Sequence, residues 1–386
     1  MRTRKATSAL VGLLLAWVAA TPAHADTIRS KQWHLDAMKA DEIWTTSTGK
    51  GVTVAVIDTG VNRIPELEGQ VLPGAVFPSG DAAGDEDNDY YGHGTGISAM
   101  IAATGRHPSG DGAYGLAPGV KILPIRVPDS MQEAKTPSWV EAIRYAADSD
   151  ARVINISLAI GGTPEDDRAR AEAVKYALSK GKLIFAGAGN DGASTNEILY
   201  PAATPGVVGV GAVDAKGQAT RESQHGPQID LAAPGIDIVT ACTTGTGLCN
   251  THGTSDATAL ASASAALIWS AHPDWTNNQV LRVLLNTAGK PIDGVERNDY
   301  IGYGIVRPRI AIATPGDPGP ADVYPLPDLA AATAASPSAS PDPAPAPAPQ
   351  AEPQQDGRLL PWLGLGLGAC LLIGGAVTAV VVRRNR

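Results

Sequence analysis

Three residues of this sequence have the types and settings for acid–base and nucleophilic work: Asp58, His93 and Ser255. Asp58 closes the apolar, β-branched run Gly51 to Ile57 and opens Asp58-Thr59-Gly60. His93 lies in Gly92-His93-Gly94-Thr95-Gly96. Glycines on both sides let the backbone turn tightly and leave the imidazole approachable. Ser255 belongs to Asn250-Thr251-His252-Gly253-Thr254-Ser255-Asp256-Ala257, just before the helical, apolar stretch Thr258 to Ala271. The free N–H groups and dipole of a helix N-terminus favour negative charge developing on such a serine. Taken alone, Thr254 or Ser255 reads most simply as a helix cap. The upstream aspartate and histidine are what make Ser255 a candidate nucleophile. Of the seven histidines, His93 is the one with paired glycines; His252 is near Ser255 in sequence but fits a surface position.

The elements that must position these residues alternate in kind. Apolar runs like the one ending at Asp58 recur at Lys121–Val127, Val153–Leu158, Leu183–Gly187 and Val207–Val213. Continuous β-branched runs of this length predict buried parallel strands. Helical patterns lie between several of them, at Gly94–Ala103, Ser138–Ala147 and Glu165–Ser179. The expected fold class is therefore α/β with a mainly parallel sheet, in which functional residues gather at the carboxyl ends of strands. Thr276-Asn277-Asn278-Gln279 predicts a capping box before a helix Gln279–Thr287, and Trp33–Trp44 predicts a short amphipathic helix.

Composition excludes some functions. A formal net charge of −9, with no basic patch interleaved with aromatics, argues against nucleic acid as a partner. Three cysteines show neither a CxxC nor a Cys/His metal spacing, although Cys242 and Cys249 can close a small loop. The loop Asp81-Ala82-Ala83-Gly84-Asp85-Glu86-Asp87-Asn88-Asp89 offers the hard oxygen ligands calcium takes, but it does not match an EF-hand. Solvated carboxylates are the simpler expectation, so no metal and no cofactor is assigned.

The two ends read as export and anchoring signals. Arg2, Arg4 and Lys5 precede the apolar run Ala9–Ala20, and Ala23-His24-Ala25 fits a signal-peptide cleavage site, with residues 1–25 removed. That places the domain outside the cytoplasm, where a Cys242–Cys249 disulfide is allowed. Residues 26–50 form an N-terminal extension with Trp33, Leu35, Ile43 and Trp44 as anchors, and residues 51–313 the folded domain. Residues 314–358 are rich in Pro, Ala, Ser and Asp and predict an extended linker. Residues 359–382 are apolar, uncharged and long enough to span a bilayer as one helix. Arg383-Arg384-Asn385-Arg386 sets the tail in the cytoplasm. Gly364 and Gly368 form a GxxxG within the span, a weak sign of helix association.

The order Asp, His, Ser differs from that of α/β-hydrolases, and Gly253-Thr254-Ser255-Asp256-Ala257 lacks the second glycine of a nucleophile elbow. An aspartic protease needs a second aspartate in a comparable motif, and none is found. Asp58-Thr59-Gly60, Gly92-His93-Gly94-Thr95 and Gly253-Thr254-Ser255 resemble the three motif blocks of the subtilisin-like serine proteases. Ala188-Gly189-Asn190 and Val153-Ile154-Asn155-Ile156-Ser157-Leu158 resemble two further blocks, so the likeness covers nearly the whole folded region, in the family's order. With the signal peptide, short extension, linker and anchor, the chain is more narrowly similar to the mycosins, membrane-anchored subtilases associated with type VII secretion.

The resemblance implies a three-layer subtilisin-like fold and hydrolysis of peptide bonds. Ser255 would be the nucleophile, His93 its base, Asp58 the orienting carboxylate and Asn190 an oxyanion donor. Ser157, Leu158 and Ala159, with Ala186, Gly187 and Ala188, would flank the bound peptide and line the first specificity pocket. Implied partners are a protein or peptide substrate, membrane proteins of a secretion complex and the membrane itself. Two departures from the family pattern stand out: no proline follows in Asp256-Ala257-Thr258-Ala259, and Asp256 puts a carboxylate beside Ser255. They leave a second reading open, a weakly active or inactive scaffold in a secretion complex.

Overall fold

A computed structural model of the chain describes residues 27–77, 88–127 and 137–335. Three short helices open it: α1 (Ile28–Lys31), α2 (Trp33–Ala37) and α3 (Ala40–Trp44). Where one amphipathic helix is expected, Lys39 takes a left-handed φ of 62° and breaks the run in two. Strands β1 (Thr53–Asp58), β2 (Ala75–Val76) and β3 (Lys121–Arg126) enclose α4 (His93–Ala102) in sequence. There follow α5 (Pro137–Asp148), β4 (Val153–Ile156), β5 (Ile160–Gly161), α6 (Arg168–Ser179), β6 (Leu183–Gly187), β7 (Leu199–Tyr200), β8 (Val208–Val213) and β9 (Leu231–Pro234). A hairpin of β10 (Ile238–Ala241) and β11 (Leu248–Thr251) leads into α7 (Thr254–Ala271), and α8 (Asn277–Thr287), α9 (Pro308–Ala313) and α10 (Pro327–Ala335) complete the described chain.

Seven strands make one parallel sheet in the order β2-β3-β1-β4-β6-β8-β9. Strand alternation gives the sheet two cores. Val54 and Val56 of β1 and Leu183 and Phe185 of β6 pack with α4, α7 and α8, whereas Ala55, Ile57, Ile184 and Ala186 face α5 and α6. That is the expected three-layer α/β arrangement, and the continuous apolar runs arise because these strands are covered on both faces.

Helix α7 is buried nearly all round, which explains its lack of a polar face. Its Ala, Ser and Thr residues let it lie close against the sheet. The capping box expected at Thr276 is present, with Thr276 and Gln279 bonded reciprocally at the start of α8.

The extension packs onto the domain. Leu35 and Ile43 are in the core, the Trp33 indole donates to the carbonyls of Ile236 and Asp237, and the Trp44 indole donates to Leu116. Cys242 and Cys249 are bonded across the β10–β11 hairpin.

The chain does not leave the surface at Thr314, where the linker was expected to begin. Arg282 on α8 donates to the carbonyls of Pro318, Pro320 and Val323, Leu326 is buried, and the Asp328 carboxylate accepts from Gly206 N–H. Backbone carbonyls, not apolar side chains, supply much of this docking, so a composition poor in large apolar residues gives no sign of it. No helix among the described residues is long and apolar enough to cross a membrane; residues 1–25, 336–358 and the span 359–382 lie outside them.

Candidate active site

Asp58 stands at the carboxyl end of β1, 1% exposed, and its Oδ1 lies 2.7 Å from His93 Nδ1. The same oxygen accepts from Thr59 N–H at 2.8 Å, while Oδ2 is buried and accepts no hydrogen bond among the described residues. A carboxylate so placed holds the imidazole with Nδ1 protonated, which turns the lone pair of Nε2 outward. His93 is the first residue of α4. Its approach to β1 depends on Gly94, where a Cβ would come within 2.2 Å of the Gly60 carbonyl.

The loop before His93 hangs on Asp89, which the acidic run concealed. Its Oδ1 accepts from Thr59 Oγ1 and Gly92 N–H, both at 2.8 Å, and from Tyr91 N–H at 3.2 Å. Its Oδ2 accepts from Thr95 N–H at 2.8 Å and Thr95 Oγ1 at 2.6 Å. Gly92, the N-cap of α4, has no side chain; Asp89, three residues before it, supplies the carboxylate that accepts from the first turn and fixes the loop that carries His93. With both oxygens taken by protein donors, it is not a spare metal ligand. The rest of the loop considered for calcium, residues 81–87, lies outside the described residues.

Ser255 is the second residue of α7. Its hydroxyl donates to the Ser157 carbonyl at 3.0 Å, and Ser157 Oγ donates back to the Ser255 carbonyl at 3.1 Å. Behind this pair, Asn155 Nδ2 donates to Ser157 Oγ and Ser262 Oγ donates to Asn155 Oδ1. The first turn of α7 is thus tied to the end of β4 by a buried polar chain.

Asn190 follows β6, and its Oδ1 accepts from Thr254 N–H at 2.8 Å. That contact orients the amide with Nδ2 as the outward donor. Gly253, at φ 129°, is required beside it, because a Cβ there would sit 2.9 Å from Nδ2.

A cavity of about 320 Å³ opens beside Ser255 and Asn190. Of the six residues expected to flank a peptide, Ser157, Leu158, Ala159 and Gly187 line it, together with Trp139, Gly189 and Leu199, which the sequence does not single out. Ala186 and Ala188 do not line it. The Ala186 side chain lies on the opposite face of β6 among the α5–α6 core, and Ala188 is buried with its N–H on Val210. A motif block marks the strand end but not which alternate residues face the cleft.

Asp256 is buried on the far side of Ser255 from that cavity, with Thr251 Oγ1 donating to its Oδ2 at 2.7 Å. Burial pushes its carboxyl up to about 6, against the Thr251 hydrogen bond and the nearby charge of His93. It is therefore outside the cavity that holds the Asn190 donor. His252 pairs at the surface with Glu222 at 2.8 Å, which raises its pKa. No group of three or more His, Cys, Asp or Glu poised for a metal exists among the described residues.

Residues 49–304 match the model of the Subtilase family. M-protease of Shouchella clausii (strain KSM-K16) is 33% identical over 264 residues, 68% of this chain and 65% of its own length. Subtilisin E of Bacillus subtilis is 35% identical over 268 residues, 68% of this chain and 66% of its own length. The chain thus spans slightly less than two thirds of these two relatives. Among solved structures, MycP1 from Mycobacterium smegmatis superposes with a TM-score of 0.66 at 30% identity, over 78% of this chain and 89% of that one. A component of the periplasmic assembly of the ESX-5 inner membrane complex superposes with a TM-score of 0.64 at 28% identity, over 84% of this chain and 90% of that one.

Proposed function

The chain belongs to the subtilase family, and on that premise we propose that it is an extracytoplasmic, membrane-anchored serine endopeptidase serving type VII secretion. The observation that carries the catalytic part is the buried Asp58 carboxylate on His93 Nδ1. With Nδ1–H donated to Asp58, Nε2 takes the Ser255 proton as Oγ bonds to the carbonyl carbon of the scissile peptide. Asn190 Nδ2 and the Ser255 N–H then donate to the carbonyl oxygen, which has become an oxyanion. As the intermediate collapses, His93 returns the proton to the leaving amine. Water, deprotonated by the same imidazole, then attacks the acyl-enzyme and frees Ser255.

Anchoring rests on the apolar span 359–382 and the arginines after it, and the secretion role on the likeness to MycP1 and the ESX-5 assembly component. In intact cells stripped of wall, added protease should digest the domain while a tag placed after Arg386 stays protected. The purified protein should hydrolyse quenched fluorescent peptides, and Ser255→Ala should stop it. A folded wild type that cleaves no member of a broad peptide library would shift the reading to a scaffold in the secretion complex.

A further inference from the structure

A second cavity, of about 370 Å³, lies on the other flank of the α7 N-terminus and shares no lining residue with the one beside Ser255. His93 forms part of its wall. Ile97, Met100 and the Cys242–Cys249 bridge give it apolar sides, Gly92 and Gly96 place no side chain in it, and the exposed Tyr91 lies at its rim. Besides His93, Asn250, Thr251 and His252, two buried polar residues line it, Thr240 and Asp256. Thr240 is 1% exposed, and its Oγ1 is buried without a hydrogen-bond partner among the described residues. Asp256 is 3% exposed; Thr251 fixes its Oδ2, and Oδ1 accepts no hydrogen bond among the described residues. A buried hydroxyl without a partner, and a buried carboxylate with a single side-chain donor, are costly unless a ligand satisfies them.

A cavity with apolar walls and a carboxylate and a hydroxyl in its lining suits a long side chain with a cationic tip. The methylenes of Lys or Arg lie along apolar walls, and the head donates to the carboxylate. Tyr91 at the rim adds a ring face that favours a cation. Glu222, paired with His252, places a further carboxylate nearby, and both His252 and Glu222 act electrostatically on Asp256.

Position along the substrate follows from the reaction. On the mechanism proposed above, the acyl side of the scissile bond occupies the cavity lined by Ser157, Leu158, Ala159 and Gly187. His93 passes its proton to the leaving amine, so the cavity with His93 in its wall receives the leaving side. We propose that this second cavity binds the side chain of a Lys or Arg directly following the scissile bond, and that Asp256 is the residue that selects it. This rests on the proteolytic reading above and adds a substrate class to it. An acidic residue at the same position would meet the Asp256 charge and be rejected.

The test uses the full chain in detergent and matched peptides that differ only in the residue after the cleaved bond: Lys, Arg, Ala or Glu. Wild type should cleave the Lys and Arg peptides with kcat/KM about 10-fold or more above Ala and further above Glu. In Asp256→Asn, which keeps the shape and the Thr251 contact, the Lys-to-Ala ratio should fall toward one whatever the absolute rate. Asp256→Lys should favour Glu.

Equal preferences in wild type and Asp256→Asn would overturn the proposal while leaving proteolysis standing. If no peptide is cleaved, the proteolytic reading fails, and the site is judged by binding. Fluorescence anisotropy with Ser255→Ala should then still show the Lys peptide bound at least about 5-fold tighter than the Ala peptide, and equal with Asp256→Asn added. Equal binding in both would overturn it.

Discussion

Ser255 and Ser157 clasp each other: each hydroxyl donates to the other's carbonyl, at 3.0 and 3.1 Å. A hydroxyl has one proton, so attack on a substrate requires Ser255 Oγ to turn from that carbonyl to His93. The bond from Ser157 Oγ fixes the Ser255 backbone, while the bond the Ser255 hydroxyl makes must break for it to turn. Removing Ser157 Oγ also strips a buried partner from Asn155 Nδ2. Ser157→Ala is therefore expected to lower stability by about 1–2 kcal/mol and kcat by roughly 10-fold, with KM little changed. Chemical denaturation and steady-state kinetics check both. An unchanged kcat would show that the clasp is packing alone.

Asp89 is expected to behave as a positioning residue for His93. Asp89→Ala leaves the N–H groups of Gly92 and Thr95 without their acceptor, at a cost of about 2–3 kcal/mol. Because that loop carries the imidazole, kcat should fall at least about 10-fold in protein that is still folded, and Asp89→Asn should recover part of it. A variant that loses stability but keeps kcat would confine Asp89 to the fold.

How far the sequence was legible depended on burial. Strands β1, β3, β4, β6 and β8 showed as continuous apolar runs because each is covered on both faces. The strand Leu231–Pro234 and the hairpin after it did not, since they are short and one ends in proline. Asp58, His93, Asn190 and Ser255 were visible through the glycines around them, two of which meet steric need at Gly94 and Gly253. Asp89 was not, because a buried cap and a solvated carboxylate look alike within an acidic run. The docked segment 314–326 was hidden for a similar reason: its partner Arg282 grips main-chain carbonyls, which carry no sequence signal.

His34 gives the N-terminal extension an acid-sensitive anchor. It is fully buried, neither ring nitrogen has a hydrogen-bond partner among the described residues, and burial, with the charge of Arg29, lowers its pKa to about 3. A histidine near 6.5 in the unfolded chain then binds more protons there than in the fold between pH 6.5 and 3. Stability is therefore lost as pH falls through that window, by up to roughly 5 kcal/mol from this residue. His34→Leu should be nearly neutral at pH 8 and should raise the melting temperature at pH 4. Parallel melting curves for the two proteins across pH would contradict this.

The central claim is that Ser255 is a nucleophile activated by His93, and covalent labelling tests it most directly. A fluorophosphonate reacts with an activated serine and not with one that merely caps a helix. Intact-mass and peptide-level spectrometry of the labelled protein should find one adduct, on Ser255, absent in Ser255→Ala and nearly absent in His93→Ala. Asn190→Ala should still fold, and should lose roughly 100-fold or more in peptide hydrolysis, the cost established on a subtilisin for losing one oxyanion donor. Well-folded wild type that takes up no label at Ser255, or labels equally with His93 replaced, would contradict the account.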